Sequence, residues 1–300
     1  MSNDTVGALL QGAVDTHYHS GPSPFPRRMD VAEAARQFDA AGFRAAVMKS
    51  HHHATVMEIL ALQPHVLDQL SVKIFGGIAL NGAVGGLNPM AVDLALKMGG
   101  KVVWFPTMSS GAHIAYHEQN HDSPFPTSTV PVMAEREIDV FDASGALVPA
   151  VHEIIDLIIE SDAVLSFGHM APSQIDAVLE AALAAGVQRI MLNHPDFVLG
   201  VSHQQAAEYV RAGVYVEHSI GMYNDQSPRK NVWPIEQLVE WIKVVGPDRT
   251  ILGSDVGQLT NPTAVDTYRR VVELLLGAGV SEDDISSMVS ANAVQLLGLE

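Results

Sequence analysis

The chain has 300 residues, is 47% hydrophobic, carries a formal net charge of −17 and contains no cysteine. The acidic balance argues against nucleic acid or an anionic membrane surface as a partner, because both need clustered Lys and Arg. The missing cysteines exclude disulfides and thiolate metal sites.

The opening run, MSNDTVGALLQGAVD, has no basic start and only a short apolar stretch, so it does not read as a signal peptide. No stretch has the apolar length of a membrane span, and a soluble cytoplasmic protein is expected. Short runs rich in Val, Ile and Ala then alternate with longer stretches of helical period. The predicted strands are 13–17, 44–49, 72–79, 101–105, 163–168, 189–193, 214–218 and 250–254. Amphipathic helices are predicted between them, at 30–41, 89–98, 173–185, 202–212, 235–245 and 263–277, with Ser173 and Ser202 as N-caps. Apolar strands each followed by a helix indicate a parallel sheet covered on its outer face. Eight such units predict a (β/α)8 TIM barrel, and α/β barrels of this length form one domain, here residues 1–300.

Two features exceed a minimal barrel. The unit after the fourth predicted strand is roughly twice as long as the others. Its surplus, 108–148, holds Pro124, Pro126 and Pro131 and then a hairpin-like REIDVFDASGALVP with its turn at 142–145. It leaves from the barrel mouth and is expected to cap it or to meet a neighbouring subunit in a homo-oligomer. The chain also ends in an extra helix, 282–297.

Histidine is unusually frequent, with 14 residues against 17 for Lys and Arg together. His17, His19, His51, His52, His53, His113, His117, His121, His169, His194 and His218 all fall at predicted strand C-termini or in the loops that follow. That end of a barrel is where such enzymes place their active sites. In DTHYH (15–19), His17 and His19 are two apart on a strand, so both side chains point into the mouth. His169 ends VLSFGH, His194 ends RIMLNH and Asp255 ends TILGSD. Neutral imidazoles with one carboxylate suit a divalent metal: zinc foremost, manganese or iron as well.

HxH on the first strand, His on the fifth and sixth and Asp on the eighth resemble the amidohydrolase superfamily. So does the closing SANAVQLLGL, similar to the Asn-containing C-terminal helix of that superfamily. Through DTHYHSGPSPFPRR, VMKSHH and GGIALNGAVGGLNP the chain is similar to an uncharacterised amidohydrolase-like branch, which implies no substrate. The resemblance implies that His17, His19 and His169 ligate metal. It also implies that His194 ligates or hydrogen-bonds the bound water, and that Asp255 ligates and acts as general base. Asp15 is a candidate partner behind the ligands.

One departure bears on metal count. Binuclear members carry a carboxylated Lys or a Glu at the end of the fourth strand, where this chain has WFPT (104–107). One tight metal is therefore expected, with room for a second through His51 or His52. Lys49 shares parity with His51 and should face the mouth, as a bridging carbamate or, more in keeping with its place, holding a substrate carboxylate or polarising a carbonyl. Arg27 and Arg28 follow the first strand and are candidates to meet an anionic substrate. Of the adjacent Glu217 and His218 only one can face inward, and His218 is the expectation. His113, His117 and His121 would share one face of a short helix over the site.

The expected function is metal-dependent hydrolysis of a C–N or C–O bond (amide, cyclic amide or imide, ester, lactone) in a small molecule that can carry a carboxylate. The alternatives are a metal-dependent decarboxylase or hydratase on the same scaffold, and a non-catalytic metal-binding protein.

Overall fold

The computed structural model describes residues 3–120 and 126–299, so His121 and Pro124 lie outside the described residues. Nine parallel strands are present among them: β1 (Val14–Tyr18), β2 (Ala45–Met48), β3 (Lys73–Phe75), β4 (Gly77–Ala79), β5 (Val102–Trp104), β6 (Val164–Ser166), β7 (Ile190–Asn193), β8 (Tyr215–Ser219) and β9 (Thr250–Gly253). They pair in sequence order as β1-β2-β3 and β4 through β9. The predicted strand 72–79 is thus one extended segment in two pieces, the first paired with β2 and the second with β5. Glycine is required where it changes partner: a Cβ on Gly77 would lie 2.1 Å from the Val102 carbonyl oxygen.

The last strand returns to the first. The Asp255 amide donates to the His17 carbonyl (2.7 Å) and the His19 amide to that of Val256 (2.9 Å). Tyr18 and Val256 form a parallel bridge. Eight strand units in ring order, with helices outside, make the (β/α)8 barrel that the alternating pattern predicts.

The interior is filled by one residue set, including Val14, Val47, Trp104, Met191, Tyr215 and Ile251. Opposite faces of the strands pack against the helices in two further clusters, so the strands are apolar on both sides. The helices fall at Val31–Ala40, Pro89–Lys97, Pro172–Ala185, His203–Arg211, Ile235–Val245 and Ala264–Gly277, near their expected positions. Ser202 caps as expected, its side chain accepting from the Gln205 amide. Ser173 does not cap: Ala171 holds that place because Pro172, with no N–H to satisfy and φ already helical, begins the helix.

The C-terminal helix closes the end of the barrel opposite the histidines. It runs through a π-helical turn (Ser287–Ala291) into Asn292–Leu297. Ala293, Leu296 and Leu297 join the interior cluster. The Asn292 amide donates to the Pro247 and Thr250 carbonyls, both at 2.7 Å. The surplus after β5 forms a helix, Gly111–Gln119, and an extended run that ends in the predicted hairpin, with Phe141 bridged to Leu147. No helix among the described residues is long and apolar enough to cross a membrane.

Candidate functional site

His17, His19, Lys49, His51, His169, His194 and Asp255 all line one cavity of about 740 Å³ at the C-terminal ends of the strands. His17 sits at a bulge. Between Asp15 and Tyr18 strand β1 holds one residue more than its partner β2. The extra residue lets Thr16 and His17 both turn toward Glu217, by 2.9 Å from Thr16 Oγ1 and 2.6 Å from His17 Nδ1. Tyr18 then packs outward against Phe38, and His19 returns to the mouth.

The hydrogen bonds fix the tautomers. Glu217 is fully buried, and burial alone would raise its pKa. The contact with His17, with Lys49 behind it, outweighs burial and holds it below the usual value. A carboxylate only accepts, so His17 Nδ1 donates and Nε2 faces the cavity. His19 Nδ1 likewise donates to the Lys49 carbonyl at 3.1 Å, which leaves its Nε2 toward Asp255. Asp255 Oδ1 lies 3.3 Å from His17 Nε2 and 3.2 Å from His19 Nε2.

Three acceptor atoms facing one another repel unless a cation sits among them. Burial drives His19 down to about 3, so His19 does not supply that charge as an imidazolium. Lys49 supplies part of it, with Nζ 3.0 Å from His17 Nε2 and 5.3 Å from the Trp104 ring centre. Ligand atoms of His17, His19 and Asp255 lie within 4.8 Å of one another, as a shared metal requires. Each histidine also has the oxygen partner behind it that orients metal-binding imidazoles. The donor set fits a divalent ion.

Two further histidines complete the group. The His169 and His194 ring centres are 4.8 Å apart, and His194 lies 6.1 Å from His17. Burial lowers both, which favours the neutral, ligating form. His194 and Asp255 hold φ of +24° and +47°, a region costly for residues with a Cβ. Each is pinned to a neighbouring strand by its backbone amide, which in His194 donates to the Glu217 carbonyl at 2.6 Å and in Asp255 to the His17 carbonyl. Burial opposes ionisation of Asp255, but the surrounding imidazoles outweigh it and hold its carboxyl well below the usual range. Its Oδ2 accepts from Ser219 at 2.8 Å. Lys49 is wholly buried, which pulls its ammonium down to about 8.

Several expectations need correction. His218 does not face the mouth: it is fully buried on the outer side of β8, beside Trp241 and 3.5 Å from Asp196. Strand alternation gives the inward place to Glu217, which shares its face with the interior residue Tyr215. Asp15 does not touch the His17 ring. The bulge turns it outward, where Oδ1 accepts from the amides of His17 (3.1 Å) and Ser254 (2.9 Å) and fastens β1 to β9. Arg28 donates to the Leu259 and Asn261 carbonyls, whereas Arg27 lines the cavity. Of the run His51–His53, His51 enters the site, stacked on His19 at 4.8 Å, while His53 turns away to Glu58. In place of a carboxylate after β5 stands Thr107, 3.0 Å from His51 Nδ1.

The inserted helix adds His113, whose Nδ1 lies 2.8 Å from His169 Nδ1. Glu217 is the alternative that the expectation of His218 passes over; residues the sequence does not single out are Asn81, and Arg229 and Trp233 in the loop after β8. The Asn81 side chain bonds both Thr107 and the His51 carbonyl. For Glu217 the signal was present as parity with Tyr215; the loop residues carry none.

The family described as "Family of unknown function (DUF6282)" matches residues 12–217, more than half of the chain. No curated protein matches the sequence. Among solved structures, an amidohydrolase from Pseudomonas aeruginosa superposes with a TM-score of 0.65 at 14% identity, over 99% of this chain and 98% of that one. The probable dipeptidase PvdM from Pseudomonas aeruginosa gives 0.58 at 14%, over 99% and 96%. A 2,6-dihydroxybenzoate decarboxylase from Rhizobium gives 0.54 at 12%, over 96% and 99%. At these identities the likeness shows the fold alone, the α/β-barrel architecture that the chain shares with these enzymes.

Proposed function

We propose that this chain, which belongs to the DUF6282 family of unknown function, is a metal-dependent hydrolase that cleaves a C–N or C–O bond of a small molecule. The observation that carries this reading is the convergence of His17 Nε2, His19 Nε2 and Asp255 Oδ1 at the barrel mouth, each with its other side-chain polar atom engaged behind it. These three residues would hold the ion, with His169 and His194 beside them. Zinc suits this set best, and manganese or iron is compatible with it. When bound, the ion supplies Lewis acidity, acidifying water and polarising a carbonyl.

The chain's own groups account for the remaining work. Asp255, ionised and held by Ser219, accepts the proton of the attacking water and returns it to the leaving group. His194 orients that water. Lys49, whose Nζ lies 3.0 Å from His17 Nε2, presents an ammonium to the substrate's carbonyl or carboxylate oxygen. Tyr116 and His117 of the inserted helix line the same cavity, and the segment acts as a cap that keeps bulk water out. The absence of a carboxylate after β5 favours one tight ion, and His51 marks the place for a second.

Asp255→Asn is the test, on a substrate found by screening amides, imides, esters and lactones. Turnover should fall by at least ~10²-fold with metal still bound, the scale of general acid–base catalysis. Normal turnover would remove Asp255 from proton transfer. Elemental analysis that finds no metal, and no uptake of zinc or manganese, would remove the metal reading. The cations in the cavity favour a second reaction on the same site, decarboxylation of a carboxylate substrate, which release of carbon dioxide would reveal.

A further inference from the structure

The cavity carries a charge opposite to that of the protein. The chain has 17 Lys and Arg against 34 Asp and Glu. Yet the described cavity lining includes Arg27, Lys49, Arg229 and Lys230, with Asp255 as its single carboxylate. A divalent ion on Asp255 would consume that negative charge and leave the cations uncompensated.

Two of them are placed to receive an anion. Arg27 follows β1 and Arg229 follows β8, so they reach the cavity from separate loops. Among the described residues neither makes an ion pair. The buried Nε of Arg27 has no hydrogen-bond partner among them. Arg229 donates to the Met222 thioether, a weak acceptor. Burial lowers both guanidinium pKa values, Arg27 to about 10, while the Asp255 charge opposes the shift in each. Guanidinium groups withdrawn from water without a carboxylate are costly, and a ligand oxyanion removes the cost by forked hydrogen bonding. Arg28, next in sequence, shows the ordinary alternative, spent on loop carbonyls. Beside the cations runs an aromatic wall. The Tyr116 and Phe197 ring centres are 5.2 Å apart, and Phe197 and Trp233 are 5.9 Å apart.

We infer that Arg27 and Arg229 together bind a carboxylate of the substrate, whose apolar part lies on the Tyr116–Phe197–Trp233 wall. Placing the scissile bond at His17, His19 and Asp255 rests on the hydrolase reading; the carboxylate clamp does not.

The test is a thermal-shift and calorimetric panel on zinc-loaded and chelator-stripped protein. Its probes are N-acetylphenylalanine, 3-phenylpropionate and hexanoate, each paired with its uncharged amide, together with phenyl phosphate. The carboxylates should raise Tm, the aromatic ones most, and the amides should not. Arg27→Gln and Arg229→Gln should each weaken carboxylate binding by at least about tenfold. Arg27→Lys and Arg229→Lys, which keep the charge but lose the fork, should fall between. Equal binding of the amides, no shift with any carboxylate, or wild-type affinity in the folded Gln or Lys variants would overturn the clamp. Preference for phenyl phosphate over all carboxylates would overturn the carboxylate assignment. Carboxylate binding that survives chelation, in a protein that takes up no zinc or manganese and hydrolyses none of the screened amides, imides, esters and lactones, would support the clamp and end the hydrolase reading instead.

Discussion

The Nδ1 atom of His17 lies 2.6 Å from Oε1 of Glu217, a contact between residues 200 positions apart that meet inside the barrel. Glu217 also accepts from Thr16 Oγ1 at 2.9 Å, so both carboxylate oxygens are engaged and the imidazole is held in one tautomer. Glu217→Gln keeps the shape but cannot offer an anionic acceptor to Nδ1–H. Metal affinity should fall ~10–100-fold, the usual effect of losing the partner behind a ligating histidine. Competition with a chelator of known affinity measures this, with circular dichroism to check the fold. Unchanged affinity would mean that the β1 backbone alone orients His17.

Gly253 tests the same contact from behind. A Cβ at this position in β9 would lie 2.8 Å from Glu217 Cδ and 3.0 Å from its Cγ. Glu217 cannot swing aside without breaking its bonds to Thr16 and His17. Gly253→Ala should therefore cost ~1–3 kcal/mol of stability, as overpacking of a tight core does. It should also weaken metal binding although no ligand is touched. Denaturant titration and chelator competition report the two effects separately; loss of stability with metal affinity intact would uncouple Gly253 from the site.

Asn81 holds the strand ends where the second ion would sit. Its amide donates to the His51 carbonyl (2.9 Å) and to Thr107 Oγ1 (2.7 Å), and its oxygen accepts from the amides of Thr107 (2.9 Å) and Ser109 (3.1 Å). All four bonds are buried. Asn81→Ala should destabilise by ~2–4 kcal/mol, because several buried groups lose their partners at once. Asn81→Asp should be as harmful, since a carboxylate cannot donate to His51 or Thr107. Thermal unfolding of both variants checks this, and a mild effect of Asp would show that the accepting oxygen alone matters.

The parts legible in the sequence were those written locally. His169, His194 and Asp255 each end an apolar run, and His17 and His19 flank a single tyrosine, so strand period and barrel geometry were enough to bring them together. The errors lie where long-range packing decides. Strand β8 is buried on both faces, so alternation was invisible there and His218 took the place that belongs to Glu217. A single extra residue in β1 reversed the direction of Asp15, and a bulge leaves no mark on the hydrophobic pattern. Arg229, Trp233 and Asn81 act from loops or loop starts, where sequence spacing says nothing about direction.

The segment inserted after β5, proposed as a cap, offers the last test, and the fold supplies a clean place to cut. The Ile138 amide donates to the Ser109 carbonyl at 2.8 Å, so the chain on either side of residues 111–136 is already in contact. Replacing that segment with two glycines needs no long bridge. It leaves intact the hairpin after it, whose Val140 is buried in the outer core and bonded to Val148. The deletion removes Tyr116 and His117 from the cavity and His113 from its 2.8 Å contact with His169. Among the described residues the proposed ligands His17, His19 and Asp255 take no hydrogen bond from this segment, so the shortened protein should fold and retain its metal. Its kcat/KM should fall by roughly tenfold or more as water enters and the aromatic wall loses Tyr116. The Tyr116→Ala variant should show part of that loss without shortening the chain. Unchanged kcat/KM in both proteins would leave the segment no catalytic role, and an insoluble deletion product beside an active Tyr116→Ala would assign it to a subunit contact.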